Sequence, residues 1–130
     1  MAAARLLAEF PTNDVFVLPG HVRGPDGSLT GEATVAAVGE FRADFAIVAL
    51  SGFDADGAPM DFDLGKIAVK RAMAARARRA ILVADSSKFD RQATARIAAL
   101  SAFHALVAEA EPPRALAEAL LAAKVEFLGA

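Results

Sequence analysis

Ile81-Leu-Val-Ala84 runs directly into Asp85-Ser-Ser-Lys88-Phe89, so a short apolar stretch delivers an acid, two hydroxyls and a cation within a few residues. In open α/β sheets, ligands gather at the carboxyl ends of strands, which makes this loop the first candidate for binding. Lys88 offers a point charge to an anion, and Asp85 can accept from hydroxyls. Together they suit a hydroxylated, negatively charged small molecule. A solvated strand-to-helix loop whose Asp or Ser caps the next helix has the same composition.

Other residue groups carry less. Lys66 and Lys70 share a face if their segment is helical and repel by roughly 0.2–0.5 kcal/mol. An anion between them, or Asp61 and Asp63 nearby, relieves that repulsion; a Lys66 that points to water is the plainer expectation. Asp54, Asp56, Asp61 and Asp63 invite a metal. A calcium loop counted from Asp54 needs Gly at its sixth place and Glu at its last, but Pro59 and Gly65 stand there. No metal site is expected. Gly52 lets the backbone approach a ligand closely, which leaves Asp54 available to a pocket. His104 lies among apolar residues and reads as a packing residue with one hydrogen bond, while His21 follows Pro19-Gly20 and can line a pocket. No Ser-His-Asp arrangement follows from spacing, and no acid–base pair stands out, so neither catalysis nor a cofactor is expected.

At 130 residues, 55% hydrophobic, with a net charge of -2, the chain suits one domain over 1–130 with one sizeable core. Disorder is excluded, and the basic excess of a nucleic-acid-binding surface is absent. Arg71, Arg76, Arg78 and Arg79 decorate a predicted helix and its end, where positive charge favours the dipole. With no cysteine, disulfides, zinc ribbons and thiol catalysis are excluded, and a reducing compartment is compatible. The longest apolar run, Phe45–Leu50, is far short of the roughly 20 residues a membrane span needs. Met1–Phe10 reads as an amphipathic helix rather than a signal peptide. A cytoplasmic chain with no membrane partner is the expectation.

The elements positioning these groups alternate between strand and helix. After the first helix, Val15–Leu18 predicts a short buried strand, and Gly24-Pro-Asp-Gly27 a turn-rich loop or hairpin tip. Gly31–Phe41 predicts a helix with Val35 and Val38 inward. Phe45–Leu50 is the strongest strand and is apolar on both faces, as in a parallel sheet covered by helices. Leu64–Ala77 predicts a helix that can turn Leu64, Ile67, Ala68 and Met73 to a core. Ile81–Ala84 is the next strand. Over Ala93–Glu111 local propensity favours one long helix, yet Phe103, Ala105 and Val107 also alternate as in a strand. Pro112-Pro113 opens a last helix to about Lys124, and Val125–Leu128 predicts a final strand. This alternation implies βαβ units and a parallel sheet.

Six segments in order carry a family resemblance: Gly31-Glu-Ala33, Ala43-Asp-Phe-Ala46, Ser51-Gly-Phe-Asp54 with Gly57, Ala68-Val-Lys-Arg-Ala-Met73, Asp85-Ser-Ser-Lys-Phe89 and Val125-Glu-Phe-Leu-Gly-Ala130. The chain resembles the effector-binding domain of DeoR-type transcriptional regulators. The resemblance implies a three-layer, Rossmann-like α/β fold shared with ribose phosphate isomerases and CoA transferases, truncated at its amino terminus. It also implies a strand around Phe103–Val107. A phosphorylated sugar or polyol is implied as effector at the strand carboxyl ends, with Gly20, Gly52, Asp54, Lys70, Asp85 and Lys88 as candidate contacts and Lys70 and Lys88 foremost. Self-association as a homodimer or larger is implied too.

The departures from the family are specific. Its amino-terminal helix-turn-helix and the first βα unit of its effector domain, with a Gly-Ser-Thr loop, have no counterpart here. DNA is therefore expected only through a helix-turn-helix domain outside this chain. Pro19-Gly20 stands where Gly-Gly is usual, Lys66 where Glu is usual, and Ala108-Glu109 where Thr-Asp is common. Beside the ligand-sensing reading stand two alternatives: a small sugar-phosphate isomerase-like enzyme, and a ligand-free oligomerisation domain using an exposed sheet edge.

Overall fold

In a computed structural model that describes residues 1–130, helix α1 spans Ala2–Ala8. Gly24 and Gly27, both at positive φ, turn the chain between β1 (His21–Arg23) and β2 (Ser28–Thr30), an antiparallel hairpin. Helix α2 (Glu32–Gly39) leads to β3 (Ala43–Ala49). β4 (Gly52–Phe53) and β5 (Pro59–Asp61) flank the Asp54–Gly57 turn. Helix α3 (Leu64–Arg76) begins at Asp63, whose carboxylate accepts from the Lys66 backbone N–H at 3.1 Å, the usual N-cap arrangement. β6 (Ala77–Val83) follows without a loop, then a 3-10 turn at Ser86–Lys88 and β7 (Ala95–Arg96). A second 3-10 turn at Leu100–Ala102 precedes β8 (Ala105–Ala108), α4 (Arg114–Ala122) and β9 (Glu126–Gly129).

The central sheet is parallel, in the order β3-β6-β8-β9, with Val48 opposite Leu82 and Leu82 opposite Leu106. Each crossover steps in the same direction, and right-handed crossovers then put their connections on one face. That face carries Ala46, Val48, Ala80, Leu82 and Leu106, which pack with Ile67 of α3 and with Leu116 and Leu120 of α4 in a single 17-residue core. Leu82 and Leu106 are fully buried. β4, β5 and β7 form a small antiparallel sheet at the carboxyl end of β3.

This mixed α/β architecture with a four-stranded parallel sheet is consistent with the Rossmann-like class, but the second helical layer is not there. Phe45 and Ile47, expected under a helix, are 56% and 58% exposed, and Val83 and Leu128 of the same face are also exposed. Val15–Leu18 is not a buried strand. The segment makes no backbone hydrogen bond, and Phe16 and Val17 are exposed. A strand needs a neighbour to pair with, and none lies beside it.

Smaller differences have local causes. Within α3, Ile67 and Val69 are buried, whereas Leu64 and Ala68 face outward, because the helix packs on α2 as well as on the sheet. Arg78 and Arg79 belong to β6 rather than to the helix end; Arg79 faces Glu126 across the sheet at 3.8 Å. The ambiguous stretch resolves as β8, two residues beyond the expected start. Pairing on both sides with β6 and β9 outweighs its helical propensity. His104 accepts the single hydrogen bond expected of it, from the Ala80 N–H at 3.1 Å, but its ring is exposed rather than packed.

Candidate functional site

Three loops meet at the carboxyl edge of the parallel sheet. β3 gives way to Leu50-Ser51, β6 to Ala84-Asp85 and β8 to Glu109, and the strand register places these ends side by side. Asp85 starts the 3-10 turn by accepting from the Ser87 N–H at 3.0 Å and from the Ser87 hydroxyl. Lys88 folds back so that its Nζ lies 3.3 Å from Asp85 and 3.2 Å from the Ser87 hydroxyl. The Ser87 hydrogen bond, with Lys88 adding to it, holds the Asp85 carboxyl below its ordinary range. The loop is thus an ionised acid, a cation and hydroxyls open to water. It also does what the plainer reading expected, since Asp85 caps its own turn.

Glu109 is the residue that spacing did not single out. Both of its carboxylate oxygens accept from the Ser86 N–H, at 2.9 and 3.1 Å, and this bond lowers its pKa. The tie crosses from the end of β8 to the end of β6 and fixes the height of the Asp85 loop. The only sequence signal was its place in a segment that departs from the family pattern.

Gly52 and Asp54 reach the same edge from the small sheet. A Cβ at Gly52 would sit 2.0 Å from the Arg91 carbonyl oxygen, so the close approach there is made by the chain itself and not by a ligand. The Phe53 N–H donates to that same carbonyl at 2.8 Å, and the Phe53 and Phe89 rings lie 6.4 Å apart. Asp54 is occupied: one oxygen accepts from the Asp56 and Ala58 N–H groups at 2.9 Å each, and the other pairs with Arg96. It still borders a cavity of about 140 Å³ with Phe53, Phe89 and Pro113. Gly52, Asp54, Asp85 and Lys88 therefore sit on two loops that touch.

Lys70 arrives by another route. Its Nζ pairs with Asp61, a buried carboxylate that also accepts from the Ser51 hydroxyl at 3.0 Å and the Phe62 N–H at 2.7 Å. Burial pushes the Asp61 pKa up, but the Lys70 and Phe62 hydrogen bonds outweigh it and leave the carboxyl ionised and below its ordinary value. Ser51 immediately precedes Gly52, so this network backs the candidate edge from the α3 side. Lys66 does not point to water. It pairs with Asp26 at the hairpin turn, while Asp63 faces Arg23 at 3.6 Å. Gly20 stands apart from the other five residues. It packs on α2, where a Cβ would lie 1.9 Å from the Thr34 hydroxyl, and that hydroxyl donates to the Pro19 carbonyl at 2.9 Å. The four aspartates of the 54–63 stretch are dispersed among turn, ion-pair and capping roles, and no group of three or more His, Cys, Asp or Glu converges as a metal site. No helix is long and apolar enough to cross a membrane.

The chain is similar to known proteins over most of its length. Residues 1–110 match the family model described as the DeoR C terminal sensor domain. The chain is 44% identical over 99 residues to the glycerol-3-phosphate regulon repressor of Haemophilus influenzae, covering 76% of this chain and 38% of that one. Against the glycerol-3-phosphate regulon repressor of Escherichia coli it is 36% identical over 106 residues, 82% of this chain and 42% of the relative. Against the HTH-type transcriptional repressor CsqR of Escherichia coli it is 30% identical over 128 residues, 98% and 49% of the two chains. The matched region spans less than half the length of each relative. The chain belongs to the family of DeoR C-terminal sensor domains.

Proposed function

We propose that this sensor domain binds a phosphorylated sugar or polyol at the carboxyl edge of its parallel sheet. Lys88 contacts the phosphate, and Asp85 and the neighbouring serine hydroxyls contact the polyol. The carrying observation is the Asp85–Lys88 turn, which combines an ionised acid, a cation and hydroxyls at a strand's carboxyl end in a chain of this family. A phosphorylated polyol fits the name of its relatives, the repressors of a glycerol-3-phosphate regulon. Lys70 acts from behind, holding Asp61 and Ser51 so that the loop before Gly52 keeps its shape.

The domain works as a sensor rather than as an enzyme, a reading supported by relatives that are named as repressors. It acts in the cytoplasm, self-associates, and reaches DNA only through a separate domain. The ligand then shifts the regulator only by binding its two states with different affinity. Titration calorimetry with glycerol 3-phosphate and a set of sugar phosphates tests the reading. At least one of them binds the chain, and Lys88→Ala weakens it by tenfold or more, about 1.4 kcal/mol or above for a charge-assisted contact. Failure of every phosphate to bind, or equal binding by Lys88→Ala, overturns it.

A further inference from the structure

The Asp85–Lys88 turn, taken alone, is poorly charged for a phosphorylated ligand. Lys88 is already shared with Asp85, and the Glu109 carboxylate is tied to Ser86 in the same turn. One cation therefore stands against two carboxylates, whereas a phosphate monoester brings a charge of about −1.5 to −2 at pH 7. A further cation is needed nearby, and it must have donors to spare.

Most cations around this edge are taken. Lys70 holds Asp61, Arg96 holds Asp54 and Asp56, Arg114 holds Glu118, and Arg71 donates to the Ile97 and Arg96 carbonyls. Arg91 is the exception. Its guanidinium has no carboxylate partner and lies over the Phe62 ring, 5.1 Å from the ring centroid. Stacking uses the face of the guanidinium and leaves its in-plane N–H donors free. Both residues are exposed, so the donors are open to a ligand while the ring orients them.

Arg91 also stands at the joint of the two candidate loops. Its N–H donates to the Lys88 carbonyl at 3.3 Å, and its own carbonyl accepts from the Phe53 N–H at 2.8 Å beside Gly52. Gly52 lies opposite Met60 in the small sheet, and strand alternation puts Phe62 on the same face as Met60. The Phe62–Arg91 stack therefore sits on the Gly52 side, one turn beyond Lys88.

We infer that Arg91 grips the effector's phosphate, its guanidinium bonding two phosphate oxygens side by side while Phe62 orients it and Lys88 completes the charge balance. Arginine suits this role better than lysine, because its planar fork of donors matches phosphate geometry. This assignment rests on the effector binding proposed above. Within that site, Arg91 is the residue that makes a phosphorylated polyol preferred over a plain one.

The test is titration calorimetry with glycerol 3-phosphate and the same set of sugar phosphates on three variants. Arg91→Ala should raise the dissociation constant of the phosphate that binds the wild type by about tenfold or more. Arg91→Lys, which keeps the charge and loses the fork, and Phe62→Leu, which removes the stacking face, should each cost about threefold. The Arg91 side chain is exposed and its structural bonds are made by its backbone, so the variants keep the wild-type circular dichroism. At saturating ligand, the phosphorus NMR resonance of the bound phosphate should shift in Arg91→Ala, which loss of a merely structural side chain would not cause. Wild-type binding that Lys88→Ala weakens and Arg91→Ala leaves unchanged overturns this assignment alone. So does an Arg91→Ala chain that binds more weakly with the phosphorus resonance unmoved. Failure of every phosphate to bind the wild type overturns the effector site and Arg91's part in it together.

Discussion

Lys66 and Lys70 stand one helical turn apart on α3, and each holds an aspartate from outside the helix, Asp26 of the hairpin and Asp61 of the preceding strand, yet the two pairs are built differently. The Lys70–Asp61 pair lies where the small sheet meets the end of β3, and Asp61 has further donors in the Ser51 hydroxyl and the Phe62 N–H. Its carboxylate is buried and each of its oxygens has a partner. The Lys66–Asp26 pair sits at the tip of the β1–β2 hairpin, with Asp26 about half exposed and one neighbouring donor residue, Ser28. One pair is a node that fixes the loop before Gly52. The other is a clasp between hairpin and helix. The same two side-chain types contribute differently because burial and added hydrogen bonds, and not the count of ion pairs, decide what a charge pair is worth.

Breaking the node gives the largest effect. Asp61→Ala leaves the Lys70 ammonium, the Ser51 hydroxyl and the Phe62 N–H without their shared acceptor, a loss of about 2–3 kcal/mol of stability by urea denaturation. Asp61→Asn keeps an acceptor oxygen and should fall between the wild type and the alanine variant. If both variants melt like the wild type, the node carries no structural weight. The clasp behaves oppositely. Lys66→Ala releases the hairpin locally, seen as faster amide exchange at Ser28 and Thr30, while its urea midpoint stays within error of the wild type, as exposed pairs generally do. A midpoint shift as large as that of Asp61→Ala would erase the contrast.

The contrast also marks what the sequence could convey. The strand-to-loop switch at Ala84-Asp85 was legible because hydrophobicity and polarity change there within one residue. The hairpin tip was legible from its two glycines. Spacing alone showed Lys66 and Lys70 sharing a helix face, and it offered Asp61 as a relief for their repulsion, which is the acid Lys70 takes. It could not show that Asp26, 40 residues away, takes Lys66. That contact depends on how the hairpin lies across α3, a tertiary fact with no local signature. The tie from Glu109 to Ser86 was hidden for the same reason, because it crosses between strand ends that only the sheet order brings together. Val15–Leu18 misled in a different way: its residues do favour a strand, but propensity names no partner. Gly52 was read as an opening for a ligand, whereas the Arg91 carbonyl fills that space; a glycine's need for room is visible in sequence, but not what occupies it.

The smallest effect is the most specific to the clasp. The hydrogen bond from Lys66 brings the Asp26 pKa down from 3.8 to about 2, with Ser28 helping. A carboxyl whose folded pKa is depressed favours the folded arrangement above its unfolded value, and that contribution fades as pH falls through the folded one. The hairpin clasp is therefore intact at neutral pH and at pH 4, and it opens only as the solution approaches pH 2. A carboxyl-carbon NMR titration should place the Asp26 midpoint well below that of an unpaired aspartate, and Lys66→Ala should return it most of the way toward 3.8. Ser28→Ala should move it less, since Lys66 is the larger cause. An Asp26 midpoint unchanged by Lys66→Ala would mean that the ammonium spends its time in water, and the hairpin would then be held to α3 by the Arg23–Asp63 pair and by the packing of buried Thr30 beside Gly65.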